Sequence, residues 1–294
     1  MRRAWLAVGI LACGLARAEP GQSGTAGQAV LINEGKPLKV PLACPTEDLD
    51  ALGLSCPAEA PCEAFLELAA VEPVGARVFL IGNIHTPSVT LYSILLSSAD
   101  AGKTWSEAHG RILNASLDQI QFLDYVNGWA GGQLLQPIPH DPFLLKSNDG
   151  GSTWRRYPVL SERRTGLIEW FRFETPMNGS LWIDRAQGAA REARFERYET
   201  VTGGESWTLS QATGKLPREG SDTASREATW RLRPDAAGNS YLLERSTDGQ
   251  WRTVASFVIP VGECKTPPGV LREPPGEQDS GPDARSPSDE RKKR

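Results

Sequence analysis

An all-β, propeller-like array of about four or five antiparallel blades is what this sequence predicts, and three observations carry the prediction. A segment of the form Ser-x-Asp-x-Gly-x-Thr-Trp stands at residues 98–105 and again at 147–154. Decayed copies follow at 200–207 and, two residues shorter, at 246–251, so that Trp105, Trp154, Trp207 and Trp251 lie 49, 53 and 44 residues apart. That period suits a four-stranded propeller blade. Each copy follows a strand-like run, at 90–96, 142–146, 192–198 and 240–245, and each tryptophan opens a short polar strand.

The chain divides into four parts. Residues 1–18 have a basic start (Arg2, Arg3), an apolar run and small residues at Ala16 and Ala18, which predict a secretory signal peptide and a mature start near Glu19. Ile10-Leu11-Ala12-Cys13 passes for a loose lipobox and leaves a lipoprotein acylated at Cys13 as the alternative. Either way the destination is periplasmic or extracellular. Residues 19–63 carry two apolar runs (29–33 and 38–42) and three cysteines, residues 64–264 carry the repeats, and 265–294 form a Pro-rich charged tail with almost nothing to bury, expected to be disordered.

Processing removes three arginines, so the mature chain has 29 basic and 36 acidic residues, a net charge of -7. Such a surface repels nucleic acid. No later segment has the length and apolarity of a membrane span, and a monomer is expected.

Cys44, Cys56, Cys62 and Cys264 form an even set in a chain bound for an oxidising compartment, which favours disulfides. Their spacing and the scattered histidines do not make a zinc site, and neither a metal nor a cofactor is expected. In a closed array Cys62, just before the first unit, neighbours Cys264, just after the last. The expected pairs are therefore Cys62 with Cys264 and Cys44 with Cys56, with runs 29–33 and 38–42 completing the last blade.

Within the repeat the residue types fit a hairpin turn. The side chains of Ser98, Asp100, Ser147 and Asp149 can bond backbone donors, Gly102 and Gly151 supply positive φ, and Trp105 and Trp154 fold over the hairpin. Trp207, Asp248 and Trp251 hold the matching positions of the eroded copies. Two further strands precede each box, at 117–124 and 128–133 and at 167–174 and 180–184, with Asn-Gly at 127–128 and 178–179 marking a tight hairpin between them.

At these residues the chain resembles the Asp-box, or bacterial neuraminidase repeat, proteins. Residues 124–132 (Asp124-Tyr125-Val126-Asn127-Gly128-Trp129-Ala130-Gly131-Gly132) also look like the blade signature of the photosystem II stability and assembly factor family and its bacterial relatives. The resemblance covers about residues 64–257 and implies a propeller that binds or assembles other molecules.

Sialidase chemistry would need an arginine triad, Phe-Arg-Ile-Pro and a Tyr-Glu couple. The nearest string, Phe171-Arg172-Phe173-Glu174, lacks the proline, and Tyr198 and Glu199 are strand neighbours that point to opposite faces. Nucleophile-elbow, zincin and phosphate-loop motifs are missing as well. The expectation is a non-catalytic exported module that binds a protein, with a carbohydrate-binding or degenerate sialidase-like propeller as the alternative. Trp129, Trp170, Trp182 and the loop pair His140 and Asp141 are the candidate ligand contacts, each weighed against an ordinary core or loop role.

Overall fold

The computed structural model describes residues 29–160, 164–185, 191–217 and 229–266. The signal segment, Cys13 and the tail beyond residue 266 lie outside the described residues. A leading segment contains β1 (Leu31–Ile32) and the helix α1 (Thr46–Ala51). The first repeat follows as β2 (Cys62–Val74), β3 (Arg77–His85), β4 (Thr90–Ser98) and β5 (Thr104–Glu107). The second is β6 (Ala115–Phe122), β7 (Gly128–Leu134), β8 (His140–Ser147) and β9 (Arg155–Pro158). The third comprises β10 (Leu167–Phe173), β11 (Gly179–Asp184), β12 (Phe195–Thr200) and β13 (Thr208–Thr213). The last has only β14 (Trp230–Pro234), β15 (Ser240–Thr247) and β16 (Gln250–Val258), after which β17 (Pro260–Cys264) returns to the first sheet.

Each repeat is one antiparallel meander, so the chain makes four sheets as predicted. The central strands of the first two sheets, β3, β4, β7 and β8, are buried on both faces, and β3 and β4 in particular read as near-continuous apolar runs. Along β3, Val78 and Leu80 face the fourth sheet, whereas Phe79 and Ile81 face the second. Along β8, Phe143 and Leu145 face the first sheet and Leu144 the third. Three apolar clusters result, joining sheets four and one, one and two, and two and three. Among the described residues no cluster joins the third sheet to the fourth.

The boxes of the first three sheets each dock on the neighbouring sheet, the first on the fourth, the second on the first and the third on the second. Gly151 has φ 80°, and a Cβ there would stand 2.3 Å from the Phe79 ring of the first sheet. Gly204, at φ 91°, packs in the same way against Leu144 and Trp129 of the second. Only glycine meets both the left-handed backbone and the close approach. Aromatic rings repeat around these contacts: Phe79 stacks on Phe122 with centroids 4.8 Å apart, Trp129 on Phe173 at 3.8 Å, and Trp154 and Trp207 stand edge-on to the second ring of each pair. At the remaining contact Trp105 meets Phe257 edge-on.

The inner edges are closed by side-chain amides and a carboxylate. Gln119 and Gln121 of β6 accept from Phe171 N and Phe173 N of β10, and Asn83 and Glu72 accept from Leu117 N and Phe122 N of β6. An inner strand lacking a neighbour thus keeps its backbone groups satisfied.

Several expectations need correction. The disulfides join Cys44 to Cys264 and Cys56 to Cys62. The expected meeting of Cys62 with Cys264 does occur, since they are register partners of β2 and β17. Their sulfurs bond elsewhere because the 44–56 segment packs into the cluster between sheets four and one. Of the two N-terminal runs, Leu38 does extend the last sheet through a parallel bridge to Phe257, but Leu31–Ile32 pairs with β5 of the first. The run expected as a strand from residue 192 begins instead with a 3₁₀ turn at Arg191–Ala193. The Asn-Gly pairs close turns spanning 123–127 and 174–178, the first gripped by the Asp124 carboxylate, rather than two-residue hairpins.

Non-reducing peptide mapping should return the pairs 44–264 and 56–62. The long-range bond closes a loop spanning 220 residues and contributes about 5 kcal/mol in the chain-entropy model. The double variant Cys44→Ser/Cys264→Ser should therefore melt well below the parent, and an unchanged melting temperature would refute that role.

Trp105→Ala removes a ring that is fully buried, at a cost of ~3–5 kcal/mol. Trp154 is only half-buried, so Trp154→Ala should cost less. Urea unfolding of both variants measures the difference.

Candidate functional site

The box side chains spend their polar atoms inside the turn. Ser98 Oγ accepts from Gly102 N at 2.8 Å and donates to Asp100 Oδ1, while Asp100 accepts from Thr104 N (2.8 Å) and Thr104 Oγ1 (2.7 Å). Ser147 and Asp149 repeat the pattern on Gly151 and Thr153. These bonds, led by the Thr104 backbone donor, hold the Asp100 carboxyl at about 2. Asp149 is lowered too, chiefly by the Thr153 hydroxyl. In the third copy hydroxyls do the same work: Thr200 Oγ1 accepts from Gly204 N at 3.1 Å, and Thr202 Oγ1 accepts from Ser206 N at 2.9 Å. Each box indole, in Trp105, Trp154 and Trp207, donates to the box glycine carbonyl three residues earlier. The fourth copy folds differently, since Asp248 and Gly249 (φ 53° and 76°) make a two-residue hairpin and Trp251 lies under the Arg231 guanidinium.

The residues singled out as ligand contacts fall in three places. Trp129 is core, and its indole donates to Gly203 O across the interface of sheets two and three. Trp182 is 2% exposed, on the face of β11 opposite Leu181 and Ile183, and is paired in register with Trp170. His140 and Asp141 start β8; Asp141 exchanges backbone and side-chain bonds with Arg164, and His140 bridges to Thr165. This last pair thus anchors the segment that carries Arg164.

Arg164 borders a groove that was not singled out from the sequence. It lies between the end of β9 and the face of β12 and β13, with a volume of about 370 Å³. Val159, Leu160, Trp207 and Leu209 give it an apolar wall, and Arg164 and Tyr198 a polar end. Leu209 is 50% exposed. Glu205 on the rim is held by Lys146 Nζ at 3.0 Å. Tyr198 Oη donates to Glu196 Oε2 at 2.7 Å, and Arg185 Nη1 stands 3.5 Å from the same oxygen. Arg185 is 6% exposed, and its Nε and Nη1 make no hydrogen bond. Burial first, and then the bond to Glu196, push the Tyr198 phenol up to about 12. At neutral pH the phenol is protonated and donates to the Glu196 carboxylate.

Other exposed apolar side chains (Tyr125, Val126, Met177 and Val201) sit singly on turn tips. One carboxylate couple has divided properties: burial and the neighbouring Asp184 raise Glu169, while Arg194 grips Asp184 through Nε and Nη2. Among the described residues no group of acidic, histidine and cysteine side chains is arranged to hold a metal, and no helix is long and apolar enough to cross a membrane.

No protein-family model and no curated protein matches the chain. Among solved structures it is similar to a GH74 xyloglucanase from Xanthomonas campestris, at 17% identity over 61% of this chain and 28% of that one, with a TM-score of 0.35. It is also similar to YCF48 bound to D1 peptide (17%, 69% and 58%, 0.34) and to YCF48 from Cyanidioschyzon merolae (20%, 63% and 55%, 0.32). The chain spans less than two thirds of each of these chains.

The box carboxylates make stability depend on acid in a defined window. The folded Asp100 value of about 2 lies below the ordinary 3.8. Its stabilisation is therefore complete above the ordinary value and is lost as pH falls through the folded one. Calorimetric melting temperatures should drop across that window. Asp100→Asn should melt lower than the parent at neutral pH and show a flatter acid limb; a limb of unchanged steepness would assign the acid sensitivity to other groups.

Proposed function

We propose that this chain is a non-catalytic exported module that binds another protein, and that the groove between its second and third sheets is where it does so. The observation that carries the reading is an open groove in which the apolar Val159, Leu160, Trp207 and Leu209 stand together with the polar Arg164, Tyr198, Glu205 and Ser206. Concave sites that hold a partner have this composition, in which apolar area supplies affinity and a few polar groups supply orientation. The carboxylates around the groove already have partners, Glu205 in Lys146 and Glu196 in Tyr198 and Arg185, which leaves the apolar side chains as its open surface. Two disulfides, one joining the N-terminal segment to the last strand, favour work in an oxidising compartment such as the periplasm or the cell exterior. The resemblance of residues 124–132 to assembly-factor blades points the same way.

A second reading, a glycan-cleaving propeller, is favoured by the raised Glu169 beside the charged Asp184, the kind of couple that divides acid and base roles. Against it stands the Arg194 clamp on Asp184.

Placing a photo-crosslinking side chain at Leu209 in exporting cells should capture a discrete protein, whereas the same group at the exposed turn residue Tyr125 should not. Sugar release from sialosides or β-glucans by the parent, lost in Glu169→Gln, would overturn the binding reading.

A further inference from the structure

The outer edges of the sheets are not treated alike. In the first sheet β5 is covered by β1, and in the fourth β16 is met by Leu38. In the second sheet β9 is four residues long and reads Arg155-Arg156-Tyr157-Pro158, so that charge and a missing N–H guard it. β14, at the other side of the fourth sheet, carries Arg231, Arg233 and Pro234. Among the described residues, the strand β13 has none of these protections. It is the terminal strand of the third sheet, runs for six residues (Thr-Leu-Ser-Gln-Ala-Thr), contains neither charge nor proline, and is exposed over nearly its whole length. A long, neutral, uncovered edge is a template for another strand.

The groove lies beside this edge. Leu209 is the register partner of Tyr198, so its side chain stands on the face of β13 turned toward the second sheet, where both line the groove. β9 ends at Pro158, and among the described residues no strand pairs with the free edge of β13. A strand added to β13 would therefore set alternate side chains over Val159, Leu160 and Trp207.

We propose that β13 receives a strand from another protein, an extended uncharged segment whose inward-facing apolar side chain fills the groove. This rests on the protein-binding reading above and names the mode of binding and the chemistry of the partner. Main-chain bonds to β13 supply affinity, and the groove selects the apolar residue. The charge pattern commits the occupant. β13 offers no charge, and the charged groups at the groove already have partners, Glu205 in Lys146, Glu196 in Tyr198 and Arg185, and Arg164 likewise, so a charged strand would be desolvated there without compensation. A second copy of this chain fits poorly, because the one large apolar residue of β13, Leu209, already forms the groove wall.

The probe is a library of short random peptides displayed on phage, panned on the oxidised mature protein and counter-selected on Leu209→Arg. Successive N–H groups of a strand point to opposite edges. Of Gln211→Pro and Ala212→Pro, one therefore removes a bond to β12 and the other only an outward donor. The outward variant is recognised by keeping the parent's melting temperature.

Enriched peptides should share an apolar residue between uncharged β-formers and should slow hydrogen exchange in residues 208–213. They should bind the outward proline variant roughly tenfold or more weakly, the equivalent of a lost hydrogen bond and a blocked register. Leu209→Arg provides the same readout even where both prolines unfold the strand. Peptides that bind all variants alike, protection that falls elsewhere, or no enrichment at all would overturn the proposal, as would dimerisation of the parent that these substitutions abolish. If the Leu209 cross-link to a protein persists undiminished in the outward proline variant, the edge is wrong while the groove stands. If that cross-link never forms, the binding reading itself falls.

Discussion

Everything in this fold hangs on the contact by which one sheet's box turn presses into the preceding sheet. A meander of four short strands cannot bury both its faces alone, and each sheet here is stable only against a neighbour. The contact combines a glycine in left-handed conformation, a pair of stacked rings and an edge-on indole, as at Gly151 with Phe79, Phe122 and Trp154. Preceding sheets also grip the turn directly: Arg77 bonds Gly150 O, and Trp129 bonds Gly203 O. The hydroxyls and carboxylates of the box hold the turn in the one shape that fits. This explains how the third copy can lose its Ser and Asp and still dock, since Thr200 and Thr202 supply equivalent acceptors.

The same contact makes the array directional. Each of the first three sheets offers its turn to the one before it, so the fourth sheet takes the place ahead of the first: Val254 meets Gly102, and Phe257 meets Trp105. The fourth box, reduced to Asp248-Gly249, makes no such dock on the third sheet among the described residues. The junction of sheets four and one carries the leading segment, both disulfides and the added strands β1 and β17. That junction joins the two ends of the repeat array, and covalent bonds reinforce it.

The groove lies at the interface of sheets two and three. β9 is shorter than β13, and the aromatic contact between the sheets is satisfied nearer the core by Trp129 and Phe173. The outer part of the interface is left with apolar walls and nothing between them. Beside it Tyr198 donates to Glu196 and Arg185 stands near the same carboxylate, while Arg185 Nε and Nη1 make no hydrogen bond. The chemistry left over suits recognition by shape and main-chain pairing, which fold-level likeness by itself would not indicate.

The four boxes, the strand before each and the period were legible in the sequence because turn chemistry is local: Ser98, Asp100, Gly102 and Trp105 act on one another within eight residues. That all four cysteines pair was legible too, from their even number and the exported context. Partner choice among them was not, because the packing of residues 44–56 beneath β17 depends on the whole junction of sheets four and one. The sequence sets a contact role for Trp129 and Trp182 against a core one, and tertiary packing decides for burial, Trp129 by stacking on Phe173 of another sheet and Trp182 by its 2% exposure. The groove was invisible for the same reason. Its walls come from residues 158–160 and 205–209, which no periodicity connects and which only tertiary packing brings together.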